Sequence, residues 1–253
     1  MPEPKDLAAI KEVQRKVRQG EYGRRRKEFG RKYREILEKS YEEIRADALR
    51  YTASIGESIQ CGKGCAHCCE HFVSVTVSQA VVIADYLYAS ENAMAVFLRN
   101  YDKWLKSIEE NPQAVIIFSS LEEDTTLSAE VRTSPQELLH AYSTFAVPCP
   151  FLDKTRCAIY AVRPLCCAAY FAVTPPEFCR ADVSSPPLVL EVKPSEKNLR
   201  ALVQLADPRL SLHQESLPKL VYKLLTAGLP EVSHELDTLF ALPKQTGAGN
   251  PKP

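Results

Sequence analysis

The chain has 253 residues, with 32 basic and 32 acidic side chains and no formal net charge at pH 7. Its length and 45% apolar content suffice for one substantial core with appendages, while the balanced charge offers no overall field for nucleic acid or an anionic membrane. No apolar run approaches the roughly 18 residues of a membrane span, and Met1-Pro-Glu-Pro-Lys-Asp6 lacks the apolar stretch of a signal peptide, so a cytoplasmic protein is expected.

Leu7, Ile10, Val13 and Val17 recur at helical spacing and predict a first amphipathic helix with Gly20 as its stop. Phe29, Tyr33, Ile36, Leu37, Tyr41, Ile44, Ala48 and Tyr51 trace the apolar stripe of a longer second helix. Residues 1–50 carry 15 Lys or Arg against 10 Asp or Glu, and the block Arg24-Arg25-Arg26-Lys27 reads as a solvated helix face. Val73, Val75 and Val77 alternate as in a strand, after which Ser78 is placed to cap a helix carrying Val81, Val82, Ala84, Leu87 and Tyr88.

A further helix over about 91–110 is expected to bury Val96, Phe97, Tyr101, Trp104, Leu105 and Ile108, with the aromatics in the core rather than around a ligand. The apolar run 114–118 fits strand or helix, and 121–132 reads as an exposed acidic connector. Ser134-Pro135 predicts a helix start leading through Leu138, Leu139 and Tyr142. A short strand within 188–192 and helices near 195–206, 216–227 and 231–241 follow, with Gly228 and Pro230 separating the last two. The expected organisation is a helical region over 1–58, a cysteine-cluster domain over 59–185, C-terminal helices over 186–242 and a disordered tail over 243–253. The expected fold class is mainly α with little β, an irregular helical scaffold around a cysteine-rich metal core.

All nine cysteines fall in two windows: Cys61, Cys65, Cys68 and Cys69, then Cys149, Cys157, Cys166, Cys167 and Cys179. An odd number cannot pair completely, and clustered thiols in a reducing compartment bind metal or do redox chemistry. If residues 61–69 turn into a helix, Cys65, Cys68 and Cys69 share one face, and Gly62 and Gly64 allow close backbone approach to an inorganic core. Prolines on both sides of Cys149, and Pro164 before Cys167, restrict the backbone of the second window. Arg163 and Arg180 either offset thiolate charge or form surface ion pairs. His67 and His71 are ligands, donors to ligands, or neither; His140, His213 and His234 read as helix residues.

The vicinal Cys68-Cys69 suits a pair of zinc knuckles poorly, whereas iron–sulfur clusters accept compact cysteine runs, so an iron–sulfur cluster is favoured over zinc. Cys61-x3-Cys65-x2-Cys68 is also the spacing of radical S-adenosylmethionine enzymes, but no repeated strand and helix units follow it.

The order Cys-x3-Cys-x2-Cys-Cys, Cys149-Pro-Phe-Leu, Cys157-x-Ile-Tyr, Arg163-Pro-x-x-Cys167 and a last Cys179 resembles the YkgJ-type cysteine-cluster family over about residues 61–180. The resemblance implies a zinc- or iron-chelating domain, related to one in bacterial flagellin lysine N-methylases. The ligands it implies are Cys61, Cys65, Cys68, Cys69, Cys149, Cys157, Cys167 and Cys179. Cys166 is an additional thiol, read as a packing or spare residue, and Ala168 stands where the family usually has a basic residue. The expected function is a metal-binding protein with a redox or metal-handling role. The alternative is a protein lysine N-methyltransferase using S-adenosylmethionine, for which no methyl-donor motif is visible and no catalytic residue is assigned. The expected partner is the metal or cluster; a protein partner and the oligomeric state stay open, and no membrane or nucleic-acid partner is expected.

Overall fold

The computed structural model describes residues 6–62, 64–124, 135–179, 187–205 and 214–229. The predicted helices near 231–241, the tail, Arg180, His213 and His234 lie outside these residues. Helix α1 (Leu7–Val17) buries Ile10, Val13 and Val17, and α2 (Gly20–Ser54) follows almost at once. Gly20, with φ +61°, opens α2 rather than closing α1. The corner is tight at Gly23, where a Cβ would come within 2.7 Å of the Val17 carbonyl oxygen, so a side chain there would force the helices apart.

Thirty-five residues make α2 about 52 Å long at 1.5 Å per residue, enough to act as the spine of the molecule. Its buried stripe runs Gly23, Arg26, Gly30, Tyr33, Leu37, Ser40, Ile44, Ala48 and Thr52, at steps of three or four. Arg26 therefore corrects the reading of a wholly solvated basic face. It is in phase with Tyr33 and Leu37, and its Nε meets Asp85 at 2.7 Å, while Arg24, Arg25 and Lys27 stay exposed. Tyr51, expected on the stripe, falls off its edge and is exposed.

The strand β1 (Ser74–Thr76) runs directly into α3 (Val77–Ala89), which is apolar nearly all round and forms the centre of the core. Thr76, not Ser78, caps α3. The Gln79 amide donates to Thr76 Oγ1 at 3.3 Å and the Thr76 amide donates to Gln79 Oε1, which is a complete capping box, while Ser78 is buried in the first turn. After Ser90 the chain bends by 114° into α4 (Glu91–Glu109), where Phe97, Tyr101, Trp104 and Ile108 are buried as expected. No single helix among the described residues is long and apolar enough to cross a membrane.

The ambiguous run 114–118 lies in α5 (Pro112–Asp124), started by the Asn111 side chain, which accepts from the amides of Gln113 and Ala114. Leu121 is buried with Ala114 and Phe118, correcting the expectation of an exposed connector there; the stretch 125–132 is outside the described residues. Helix α6 (Pro135–Ser143), which contains His140, packs on α5.

The rest of the chain is short. A hairpin pairs β2 (Leu152–Asp153) with β3 (Arg156–Cys157), and a one-turn 3-10 segment at Tyr160–Val162 leads to α7 (Leu165–Ala169) and β4 (Tyr170–Ala172). Then come a 3-10 turn at Pro176–Cys179, β5 (Val189–Glu191), α8 (Glu196–Leu205), β6 (Gln214–Ser216) and α9 (Leu217–Thr226). Among the described residues the three sheets are antiparallel pairs: β1 with β6, β2 with β3, β4 with β5. Because β1 and β6 each run straight into a helix, their pairing (Ser74 opposite Ser216) sets α9 on α3, where Leu220, Val221, Leu224 and Leu225 are sealed from solvent. Gly228, at φ +88°, ends that helix as predicted. A helical scaffold with three two-stranded sheets is the expected fold class. At the far end of α2, Ile44 and Ala48 pack with Phe171 of β4 in a smaller second core.

Candidate metal centre

The first cysteine window begins where α2 ends. Gln60 donates its amide to the Ala172 carbonyl at 2.8 Å, and the Ala172 amide donates to Cys61 Sγ at 3.0 Å. The same β4 residue therefore fixes both the chain entering the window and its first sulfur. A turn closed by Cys65 N–H on the Gly62 carbonyl follows, with Gly64 in the left-handed region at φ +95°. Residues His67–Glu70 make one 3-10 turn rather than an α-helix, so the helical-face spacing of Cys65, Cys68 and Cys69 is not realised. Three residues after Cys69, Phe72 packs edge-on against Phe118 and Tyr142 at 5.5 and 5.7 Å, anchoring the window in the main core.

The second window is anchored from α4. Asn100 Nδ2 donates to the carbonyls of Leu152 at 2.9 Å and Pro150 at 3.3 Å, and Phe151 stacks on Phe97 with ring centroids 4.5 Å apart. Leu152 N–H closes a turn on the Cys149 carbonyl, and Cys157 lies opposite Leu152 in the hairpin. Cys149 and Cys157 are thus carried by one small, core-docked unit.

The windows meet directly. Cys149 N–H donates to the Cys69 carbonyl at 2.7 Å, and the turn holding Cys179 packs on the turn holding Cys68 and Cys69. The thiols influence one another across both windows: the charge of Cys68 acts on Cys61, Cys69, Cys149, Cys157, Cys167 and Cys179, while Cys65 acts on Cys61 and Cys179. All nine cysteines are free. Among the described residues no three Cys, His, Asp or Glu side chains converge at the spacing of a metal's ligands, so the thiols are neighbours in one region rather than a closed cage.

Burial sets their protonation. It pushes Cys149 up to about 12 and Cys179 up to about 11, and raises Cys157 and Cys61 as well. The two vicinal pairs behave alike. Cys69 donates to the sulfur of Cys68, which with help from the Arg163 charge brings Cys68 down to about 7 and raises Cys69. Cys167 likewise donates to Cys166, lowering Cys166 and raising Cys167.

Cys166 itself is exposed, lining a cleft of about 420 Å³ with Phe72, Gln79, Leu139 and Leu165, so it is not a packing residue. His71 is half-buried, edge-on to Tyr170 at 5.5 Å, and burial lowers its pKa. His67 sits in the first 3-10 turn. Asn100 and the Ala172 amide escaped sequence reasoning because each acts on residues distant in the chain.

These side chains suit a thiophilic ion or cluster. The donors are free thiols, an amide already points at one sulfur, and Arg163 brings positive charge to Cys68 and Cys157 without a carboxylate partner among the described residues. Searches against curated proteins and against solved structures give no match. Residues 60–185 match a family model, CxxCxxCC, described as a proposed zinc- or iron-chelating domain. With its two cysteine windows joined at Cys69 and Cys149, the chain carries a metal-chelating domain of this cysteine-cluster family.

Proposed function

We propose that the protein holds an iron–sulfur cluster, or failing that zinc, through Cys61, Cys65, Cys68, Cys69, Cys149, Cys157, Cys167 and Cys179, in a redox or metal-handling role. The observation that carries this reading is the bond from Cys149 N–H to the Cys69 carbonyl, because it makes one region of two segments eighty residues apart.

Two features favour iron–sulfur over zinc. The vicinal Cys68-Cys69 pair departs from knuckle spacing, and the Ala172 amide donates to Cys61 sulfur, the kind of hydrogen bond that tunes cluster potential. A cluster would supply one-electron chemistry; zinc would supply a structural cross-link. The chain's own contribution is to hold the thiols on core-docked turns, bury them, and balance their charge.

Protein purified anaerobically should contain iron and acid-labile sulfide in near-equal amounts, with broad visible absorption. Zinc alone under the same conditions sinks the cluster version, and metal-free protein sinks the whole reading.

A further inference from the structure

Arg163 has an unusual setting for an arginine. Its backbone is pinned by the Tyr41 hydroxyl of α2, which donates to the Arg163 carbonyl. Its guanidinium lies 4.0 Å from the Tyr160 ring centroid and 5.7 Å from that of Tyr41. No carboxylate partners it among the described residues, and its Nε is buried with no acceptor. A buried guanidinium N–H without a partner is costly, so the position calls for negative charge. The thiol site can supply it: the turn at Tyr160–Val162 that leads into Arg163 follows directly on the hairpin bearing Cys157, and the Arg163 charge acts on Cys68 and Cys157.

We propose that Arg163 is the resident counter-cation of the thiolate site, a positioning residue that balances the excess negative charge of the loaded centre. The inference rests on the metal-site reading above. Its logic is charge arithmetic. Four thiolates around a zinc ion leave two net negative charges, and a cluster with four thiolate ligands is similarly anionic; in a half-buried site that excess needs compensation. The ring of Tyr160 holds the cation in place without neutralising it, as a carboxylate would. Tyr160 is three residues before Arg163, in the 3-10 turn, so one short segment builds both the cation and its support.

The test is anaerobic titration of metal-free protein with zinc(II) against a chromophoric chelator, comparing wild type, Arg163→Met and Arg163→Lys, alongside urea unfolding of each metal-free form. The Met variant should bind the same number of ions about 10–100-fold more weakly, the range typical for residues that support metal ligands, and Lys should recover most of the loss. A Met variant with wild-type affinity overturns the proposal. So does an equal loss in Met and Lys, which would make guanidinium packing over Tyr160 the cause. If Arg163→Met does not fold, Tyr160→Leu decides: several-fold weaker binding supports the proposal, and unchanged binding overturns it. Wild-type protein that takes up no metal removes the site and the proposal together, whereas a loaded wild type with an indifferent Met variant removes the proposal alone.

Discussion

Asn100 of α4 donates through its one amide nitrogen to the carbonyl oxygens of Pro150 and Leu152, and so ties the hairpin bearing Cys149 and Cys157 to the main core. Asn100→Ala should leave both carbonyls without that donor, costing about 1–2 kcal/mol of stability in urea unfolding. It should also speed metal loss, because the second cysteine window is then held to α4 only by the Phe151 stack on Phe97 and the exposed Arg99–Asp153 ion pair. Metal release to a chelator at wild-type rate would separate the hairpin's docking from ligand holding.

Phe151 is fully buried and stacked on Phe97. Phe151→Ala should cost about 3–5 kcal/mol, more than the Asn100 change, and should lower the yield of metal-loaded protein. Equal yields would argue that the hairpin folds around the metal independently of the core.

Protonation gives a pH prediction with a definite sign. Cys149 is held up to about 12 and Cys179 up to about 11, both by burial, so each is a neutral thiol at pH 7 in the metal-free protein. Metal binds thiolates, so loading must expel these protons, and affinity should fall as pH falls below neutrality. Calorimetry in buffers of different ionisation enthalpy should register proton release on metal addition. The metal-free fold should behave oppositely at high pH: thiols raised above their ordinary value of 9 contribute stability that is present below pH 9 and is lost as pH rises towards 11 and 12.

Arg26 and Asp85 form a pair remote from the thiols, with only 4% of the arginine side chain exposed. Asp85→Ala should cost about 3–5 kcal/mol by leaving a buried charge without its partner, with metal stoichiometry unchanged once the protein folds. Loss of metal binding in folded Asp85→Ala would tie the N-terminal helices to the site more closely than their contacts suggest.

Much of this was legible in the sequence where the signal is local. The helices over 7–17, 91–109 and 217–226 follow from apolar residues at helical spacing, and the cysteine windows from spacing alone. Two misreadings had signals at hand. Gln79 three residues after Thr76 spells a capping box, and Arg26 keeps step with Tyr33 and Leu37 on the buried stripe. Other features had none. After the single 3-10 turn at His67–Glu70, Phe72 reaches aromatic rings of α5 and α6, and Tyr41 meets Arg163 across 122 residues of chain. Such relationships exist only once the helices have packed.

The central claim is that two distant cysteine windows make one metal site. The direct measurement is metal content per chain in anaerobically purified Cys65→Ser and Cys149→Ser, one substitution in each window. Bound metal should drop in both variants, because each removes a thiol from the same region. Full occupancy in both would contradict the account, whatever metal the wild-type protein holds.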